Sequence, residues 1–512
     1  MDREPPCPTT DDPGEAARRI ACALSRSSDD PRDALEALIG EGPRTDAAAV
    51  AHRLVRAAPR EPGPWVLLGS VAATQRLPQA ARLCWQRALA CDPSHVEARV
   101  LLGSALWAAG ELSGARAHLD AALELDPHNP GAIASVARLL LRQGAHREAW
   151  ELIQGGRPSS DPRLALAAAE AAGAAGAAEV AGAGQAATAL DAVDAALATA
   201  PSPPTCVRLL AARGELCDAL GRHTEAFAAW TESNRRALAE GPGEADGVAR
   251  ILEAITGLDW GAIPSRTPSR PVALVGLPHS GLSLLERSLS QHPAIRTASV
   301  PGSLGLLAEA VLRPRDACWT AVLPRLRGSI LDPLRMGYLD ALGSSRGERI
   351  LDRWWGNLRY LGLLARILPG ARVIVCTRAP LDVGLSCFRR GGGSGLTWSM
   401  SLEGIGQHLV ESQRLLEHWR RHLPLRFHTV RYEGLVSDPA QVLRGVVAFL
   451  GLPWDPAVVL STDEVIRDPR TLEVLPPLHA RSVARAAPYA AALAPLAARL
   501  EMDGVRRRSS RT

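Results

Sequence analysis

Apolar residues recur at helical spacing through the first half of the chain and form short, nearly unbroken runs in the second half. Helical patterning begins near Asp33 and continues to about residue 238. Farther along, the runs Pro271–Val275 and Ala371–Cys376 are mainly apolar, and each is followed by a helical segment. Short apolar runs that alternate with helices predict the buried strands of a parallel sheet. We therefore expect a helical domain followed by an α/β domain.

Small residues in the helical half repeat at an interval of 34 residues. The interval separates one set of prolines and one set of alanines: Pro59, Pro93 and Pro127, and Ala81, Ala115 and Ala149. Small residues let paired helices approach closely, and Pro suits a first helical turn. A generic helical bundle does not require a fixed interval. The pattern resembles the tetratricopeptide (TPR) repeat, which implies a helical solenoid whose concave face binds a peptide or protein partner.

These patterns divide the chain into five segments. We expect a flexible lead-in, TPR-type repeats, a linker, an α/β domain and a basic tail, at residues 1–35, 36–238, 239–269, 270–500 and 501–512. The repeat register is lost after Gly155. It returns in residues 208–237, where Gly221 and Ala226 have the same spacing as Gly144 and Ala149.

Composition excludes several classes of protein. With 46% hydrophobic and 22% charged residues the chain is ordinary globular material, and its net charge of +4 predicts no broad nucleic-acid surface. Aromatic residues make up only 4%, which argues against stacking on single strands. No window holds about twenty apolar residues, no signal peptide is evident, and the nine cysteines form no C-x-x-C pair. These features predict a cytoplasmic protein without a membrane span.

The first candidate site is the strand, glycine turn and helix within residues 270–291. Unpaired N–H groups at the start of such a helix favour a bound anion. Gly276 and Gly281 have the glycine spacing of a nucleotide P-loop, but Leu282 stands where that loop needs Lys. All 58 basic residues of the chain are Arg, so an ATP-dependent phosphotransferase is disfavoured. A simple turn between a core strand and a core helix stays open as an alternative.

The second candidate site follows the run Ala371–Cys376. Arg378 comes directly after this predicted strand, and Ser386 follows eight positions later on a predicted helix. An Arg can hold a phosphate through two parallel N–H bonds, and a Ser hydroxyl can complete the cradle.

The two sites together resemble those of bacterial TPR-repeat sulfotransferases, which are similar to protein-tyrosine sulfotransferases. Pro278–Ser283 followed by His292-Pro293 resembles the family's 5′-phosphosulfate loop, and Arg378 with Ser386 resembles its 3′-phosphate site. Further segments match in the expected order: Val430–Val436, which resembles a strand and loop of the family, Phe449–Trp454 and Ser482–Arg485. The resemblance implies a P-loop-like α/β fold with a parallel sheet. It also implies a 3′-phosphoadenosine 5′-phosphosulfate co-substrate and no metal.

The resemblance also implies which residues act. The expected nucleotide contacts are Pro278, Ser280, Gly281, Leu282, Ser283, Arg378, Ser386, Tyr432 and Arg485. The expected catalytic residues are His279, which replaces the loop Arg of the family, and Arg353, which replaces a Lys. An ordinary His titrates near neutrality, so His279 is interpreted as a neutral base, a charged donor or only a hydrogen-bonding residue.

The chain departs from the family at the general base. Relatives of the protein-tyrosine type carry a Glu seven residues past the His-Pro pair, where this chain has Val300. Glu286 and Glu309 are near in sequence but out of register. Two hypotheses follow: sulfuryl transfer to a hydroxyl or amine, or a TPR scaffold whose nucleotide-binding domain is inactive. The acceptor stays open among a peptide tyrosine, a glycan and a small metabolite. The glycine-rich run 391–395 predicts a flexible acceptor-side loop or an insertion.

Overall fold

The computed structural model divides the chain into two compact units, residues 1–212 with 467–474 and residues 213–466 with 475–512. The residues described are 44–75, 77–155, 160–177, 183–239, 248–256, 258, 260, 263, 270–300, 302–311, 323, 328–343, 347–394, 396–460, 466–467, 474–475 and 482–502. The predicted lead-in and most of the predicted linker and tail lie outside these residues.

The first unit consists of successive helices. They are α1 (Arg44–Ala57), α2 (Pro62–Thr74), α3 (Pro78–Cys91), α4 (Val96–Ala108), α5 (Leu112–Leu125), α6 (Pro130–Arg142), α7 (His146–Gly155), α8 (Pro162–Ala177), α9 (Ala183–Ala198) and the first part of α10 (Pro203–Ala219). Helices α2, α4 and α6 begin at residues 62, 96 and 130, so the 34-residue interval is present in the helices themselves. The repeated prolines lie in the turns three residues before these helices, not in the first helical turn as expected. Their fixed φ suits a turn equally well.

Close helix contact explains the repeated small residues. A methyl group at Gly69 would lie 2.4 Å from the Trp85 indole nitrogen. Farther along the chain, a methyl group at Gly214 would lie 2.2 Å from the corresponding nitrogen of Trp230. Both pairs are separated by 16 residues (85 − 69 and 230 − 214), so α10 and the following helix α11 (His223–Ala239) pack like a repeat.

The second unit is built around a five-stranded parallel sheet of order β2-β3-β1-β4-β5. Its strands are β1 (Pro271–Gly276), β2 (Ile295–Thr297), β3 (Arg349–Arg353), β4 (Arg372–Thr377) and β5 (Arg426–Arg431), and the short strands β6 (Ile466–Arg467) and β7 (Val474–Leu475) form a separate two-stranded sheet. Its further helices are α12 (Val248–Ile255), α13 (Leu282–Leu289), α14 (Ser303–Val311), α15 (Gly328–Leu342), α16 (Leu361–Ile367), α17 (Pro380–Ser394), α18 (Leu402–His422), α19 (Tyr432–Ser437), α20 (Pro439–Leu450) and α21 (Ala494–Met502). Short 3₁₀ segments cover Trp355–Tyr360, Thr397–Met400, Pro456–Val458 and Ala487–Tyr489.

Strand β1 is buried along its whole length because both faces of the sheet are covered. Val272 and Leu274 pack on one face with α13 and α20. Ala273 and Val275 pack on the other face with α16 and α18. Alternate side chains therefore enter two separate cores, which explains why the run is continuously apolar.

The sheet register brings three loops together. Gly276 of β1 pairs with Cys376 of β4, and Thr377 of β4 pairs with Arg431 of β5. The residues that follow these strands therefore leave from one edge of the sheet, where parallel α/β folds collect ligand groups.

Two local predictions differ from the structure. Tyr432–Ser437 forms helix α19 where a strand and loop were expected. The glycine-rich run 391–395 does not form the expected loop, because residues 391–394 complete helix α17 and residue 395 lies outside the described residues. Gly391 is needed there because a methyl group would lie 2.7 Å from Oδ1 of Asn234.

The second unit begins earlier than the predicted α/β domain, at Arg213. The end of α10 and all of α11 belong to it because they pack on α17. The Asn234 side-chain amide donates to the Phe388 carbonyl oxygen at 2.9 Å, and the rings of Phe227 and Phe388 stack at 5.0 Å. Among the helices of the described residues, none has the length and apolar character needed to cross a membrane.

We predict that the α/β fold needs the α10–α11 pair. A fragment that begins at residue 201 should melt cooperatively, and one that begins at residue 248 should melt at least several degrees lower. The shorter fragment exposes apolar surface on α17 and leaves the Phe388 carbonyl without its partner. Thermal unfolding followed by circular dichroism checks this. Equal melting temperatures would show that the pair is dispensable.

Candidate functional site

The loop between β1 and α13, residues 277–281, is shaped by its own hydrogen bonds. Ser280 is buried, and its hydroxyl donates to the Leu277 carbonyl oxygen at 2.7 Å. Gly281 has a φ of 102°, and a methyl group there would lie 2.6 Å from the Tyr432 ring. Only glycine combines this positive φ with the absence of a side chain that would clash with Tyr432. The loop ends at Gly281, directly before α13. The first N–H groups of α13 have no partners within the helix.

Three predicted loop contacts differ in how they reach the site. Pro278 is half-buried, whereas Ser283 is exposed and its hydroxyl accepts a bond of 3.4 Å from Arg353 Nη1. The Leu282 side chain is buried in the core beside Leu285. Any contact from Leu282 to a ligand must therefore use its backbone N–H.

Arg353 lies beside the first turns of α13. Its Nε donates to Glu286 Oε2 at 2.6 Å, and the two side chains are 31% and 12% exposed. Glu286 therefore offsets part of the Arg353 charge. Glu286 is out of register with the Glu base of related proteins. The fold nevertheless places it beside Arg353, the predicted catalytic Arg.

Arg378 connects three parts of the chain. Its Nη1 donates to the His279 carbonyl oxygen at 2.9 Å, and its Nη2 donates to the Ser482 carbonyl oxygen. The guanidinium also lies 4.9 Å from the centroid of the Tyr432 ring, within range of a cation–π interaction. The structure thus brings together four predicted site elements: the loop, Arg378, Tyr432 and the segment that begins at Ser482.

His279 has a left-handed backbone conformation, with a φ of 62°. Desolvation by the surrounding protein, which has the largest effect, and the charges of Arg390, Arg378 and Arg389 together lower its pKa from 6.5 to about 4. The residue is nevertheless exposed, so water screens part of these charges. The imidazole is therefore neutral at pH 7, which corrects the expectation that it titrates near neutrality. Arg389 and Arg390, which the sequence patterns did not single out, add positive charge at the loop.

Ser386 lies on α17, eight residues beyond Arg378 as predicted. It is half-buried, and its hydroxyl donates to the Asp382 carbonyl oxygen at 2.7 Å. The Asp382 carboxylate accepts the N–H groups of Ala484 and Ala486 at 2.9 and 2.8 Å. Asp382 therefore fixes the segment that carries Arg485. The sequence patterns did not predict this role, and the position of Asp382 in the first turn of α17 was its one local signal.

Arg485 reaches toward the α10–α11 pair. Its Nη2 donates to Asp218 Oδ2 at 2.7 Å. It is also close enough to Arg378 for its charge to lower the Arg378 pKa, although burial is the largest cause of that shift. The predicted contact between Arg485 and a nucleotide stays a prediction.

A cavity of about 480 Å³ lies beside the loop, between the sheet and α18. Val275, Val375 and Leu416 line it, and these residues belong to the core opposite α13. Its polar lining includes Glu417 and Arg420. The volume suits a small organic molecule, and no sequence pattern predicted it. Within the described residues, no group of three or more His, Cys, Asp or Glu side chains is arranged to hold a metal ion.

Comparison with protein families agrees with this architecture. Residues 271–456 match the model of the sulfotransferase family. Residues 66–130 and 106–173 match two models of the tetratricopeptide repeat. The predicted resemblance to both families is confirmed, as is the order of helical repeats followed by a parallel-sheet domain. One chain thus carries a segment that matches the sulfotransferase family and segments that match TPR repeats.

Individual relatives are distant. An uncharacterized protein from Aquifex aeolicus (strain VF5) is 28% identical over 203 residues, which are 37% of this chain and 26% of the relative. The match thus spans about a quarter of that relative's length.

Three solved structures are also similar to parts of this chain. The sulfotransferase domain of the Synechococcus PCC 7002 olefin synthase is 19% identical, with a TM-score of 0.28, over 42% of this chain and 88% of that one. A sulfotransferase from Alicyclobacillus acidocaldarius is 20% identical, with a TM-score of 0.28, over 46% and 95%. YrrB, a TPR protein with an unusual peptide-binding site, is 14% identical, with a TM-score of 0.24, over 37% and 93%.

We predict that the His279 imidazole of the ligand-free protein titrates well below pH 6.5. Desolvation and the neighbouring arginines disfavour its charged form. Its ring resonances in an NMR pH titration should have a midpoint below about pH 5.5. Comparison with His279→Gln assigns the signal, which is necessary because the pKa of His418 is also lowered to about 4. A midpoint near 6.5 would contradict this prediction.

Proposed function

We propose that the protein transfers a sulfuryl group from 3′-phosphoadenosine 5′-phosphosulfate to a hydroxyl or amine acceptor without a metal. The observation that carries the proposal is that Arg378, Arg389 and Arg390 lie close enough to the loop after β1 to act on His279. Helix α13 follows this loop, and no side chain caps the N–H groups at its start. Positive charge and backbone donors in one place suit a substrate that carries several anionic groups. The sulfotransferase-family match over residues 271–456 supports the same conclusion.

Arg378 is the proposed ligand of the 3′-phosphate. Its two terminal nitrogens donate to the carbonyl oxygens of His279 and Ser482. Its Nε has no hydrogen-bond partner within the described residues. Bonds from a guanidinium to a phosphate are stronger than bonds to a neutral carbonyl. A 3′-phosphate can therefore engage the free Nε and compete for the other two donors, and Ser386 would complete this cradle.

The reaction itself needs charge stabilisation and a proton acceptor. The bond from sulfur to the bridging oxygen breaks, and the electron pair leaves with the bisphosphate product. A new sulfur–oxygen or sulfur–nitrogen bond forms with the acceptor, whose proton passes to a base. Arg353, near Ser283, is the proposed donor to the sulfuryl oxygens, and the neutral imidazole of His279 is the proposed base.

A second candidate function is a TPR scaffold with a nucleotide-binding but inactive domain. Val300 favours it, because this apolar residue is 43% exposed where related enzymes carry a Glu base. The Glu286 partner of Arg353 favours it as well, since it offsets charge that catalysis would use. Under either function, the TPR repeats are proposed to bind a peptide or protein partner.

The nucleotide assignment predicts a preference for two phosphates. Adenosine 3′,5′-bisphosphate should bind more tightly than the 5′-monophosphate, and Arg378→Ala should weaken the bisphosphate by about ten- to a hundredfold. Isothermal titration calorimetry measures both effects. Arg421→Ala is the control, because Arg421 is exposed on α18, where it forms an ion pair of 3.4 Å with Glu417. Equal affinity for the two nucleotides would remove the 3′-phosphate assignment.

The enzyme hypothesis predicts a separation of binding from transfer. Arg353→Ala should slow transfer by about a hundred- to a thousandfold and leave bisphosphate affinity nearly unchanged, since its donor acts on the sulfuryl group. Val300→Glu should raise activity if only the base is missing. The assay is transfer from a labelled donor to a panel of peptides, glycans and small hydroxyl compounds. If the parent protein and Val300→Glu both bind nucleotide but transfer nothing, the scaffold hypothesis replaces the enzyme.

A further inference from the structure

The α10–α11 pair contacts the proposed donor site through two carboxylates. Asp218 near the end of α10 accepts a bond of 2.7 Å from Arg485 Nη2. One turn earlier, Glu215 forms an ion pair with Arg389, whose Nε lies 3.0 Å from Glu215 Oε1. Both arginines belong to segments that the proposed function uses. A helix pair with the internal packing of a repeat therefore holds two cations of the α/β domain.

Asp218 is itself held in place. The Tyr489 hydroxyl donates to its Oδ1, and the His223 ring lies 3.3 Å from the same hydroxyl. Burial alone would raise the Asp218 pKa, but hydrogen bonds from Tyr489 and Arg485 outweigh it and leave the pKa below 3.8. The carboxylate is therefore charged at neutral pH and has a defined orientation.

The contact leaves part of the Arg485 guanidinium available. Only Nη2 bonds to Asp218, and within the described part of the chain Nε and Nη1 make no hydrogen bond. The backbone beside Arg485 is fixed separately by Asp382, which accepts the N–H groups of Ala484 and Ala486. A side chain held at one nitrogen, on a fixed backbone, is oriented and can still bind a phosphate through its remaining edge.

We propose that Asp218 is a positioning residue for nucleotide binding: it orients Arg485, and it thereby makes the α10–α11 pair part of the donor site. This inference rests on the proposed function, because it assigns Arg485 to a phosphate of the bisphosphate. Asp218 contributes through Arg485 and does not touch the nucleotide. It also agrees with the early start of the second unit at Arg213, since Asp218 and Arg485 both belong to that unit.

The test is a double-mutant cycle on the full chain, with adenosine 3′,5′-bisphosphate binding measured by calorimetry. Asp218→Ala should weaken binding about tenfold, and Arg485→Ala by about ten- to a hundredfold. The double variant should bind no more weakly than Arg485→Ala alone, because Asp218 acts only through that side chain. Glu225→Ala is the matched control: Glu225 is an exposed carboxylate of the same helix pair, paired with Arg222, and its loss should not change affinity.

Asp218→Asn keeps the size of the side chain and guards against misfolding, with melting temperature recorded for each variant. It should also weaken binding, and this weakening should again disappear in the Arg485→Ala background. Additive losses, unchanged affinity in both Asp218 variants, or tighter binding after removal of the carboxylate would each overturn the inference. Tighter binding would mean that Asp218 competes with the phosphate. A parent protein that does not bind the bisphosphate would overturn the proposed function as well.

Discussion

The half-buried guanidinium of Arg378 is the constraint on which the rest of the site depends. Removing a charged group from water is costly unless hydrogen bonds and a favourable environment replace the lost hydration. Here the carbonyl oxygens of His279 and Ser482 and the face of Tyr432 provide them. Three chain segments must therefore reach one point, and the parallel register of β1, β4 and β5 delivers two of them. The third, near Ser482, is held by the Asp382 carboxylate.

The site gathers more positive charge than one Arg requires. Arg378, Arg389, Arg390 and Arg485 come from α17 or from segments beside it, and mutual repulsion opposes their assembly. Carboxylates compensate at the periphery, since Glu215 pairs with Arg389 and Asp218 with Arg485. The titratable side chain of the loop itself is the neutral imidazole of His279, and Asp382 and Glu433 offset part of the Arg378 charge. The carboxylates therefore offset part of the positive charge, and the proposed anion site depends on the remainder.

The sequence predicted the elements that local patterns encode. The glycine spacing, the apolar strand of β1 and the interval from Arg378 to Ser386 depend on residues close in sequence, and they identified the loop and the parallel sheet. Long-range partners leave no local signal. Nothing in the pattern around Glu286 indicates that Arg353, 67 residues away, will pair with it. The lowered pKa of His279 likewise arises from burial and from the charges of Arg390, Arg378 and Arg389, and only the tertiary fold defines both.

The α10–α11 pair shows why the domain boundary was harder to predict than the repeat. The contact of Gly214 with Trp230 copies that of Gly69 with Trp85, so the internal packing of the pair carries the repeat signature. The other surface of the same helices carries different information. The Phe227 ring stacks on the Phe388 ring of α17 at 5.0 Å, and Asn234 bonds to the backbone of α17. A repeat pattern records how two helices pack on each other, and it contains nothing about which neighbour their outer face contacts. A helix pair can therefore show the repeat pattern in its sequence and still pack as part of the α/β domain. The repeat pattern depends on the face between the two helices, and the contacts with α17 depend on the outer face.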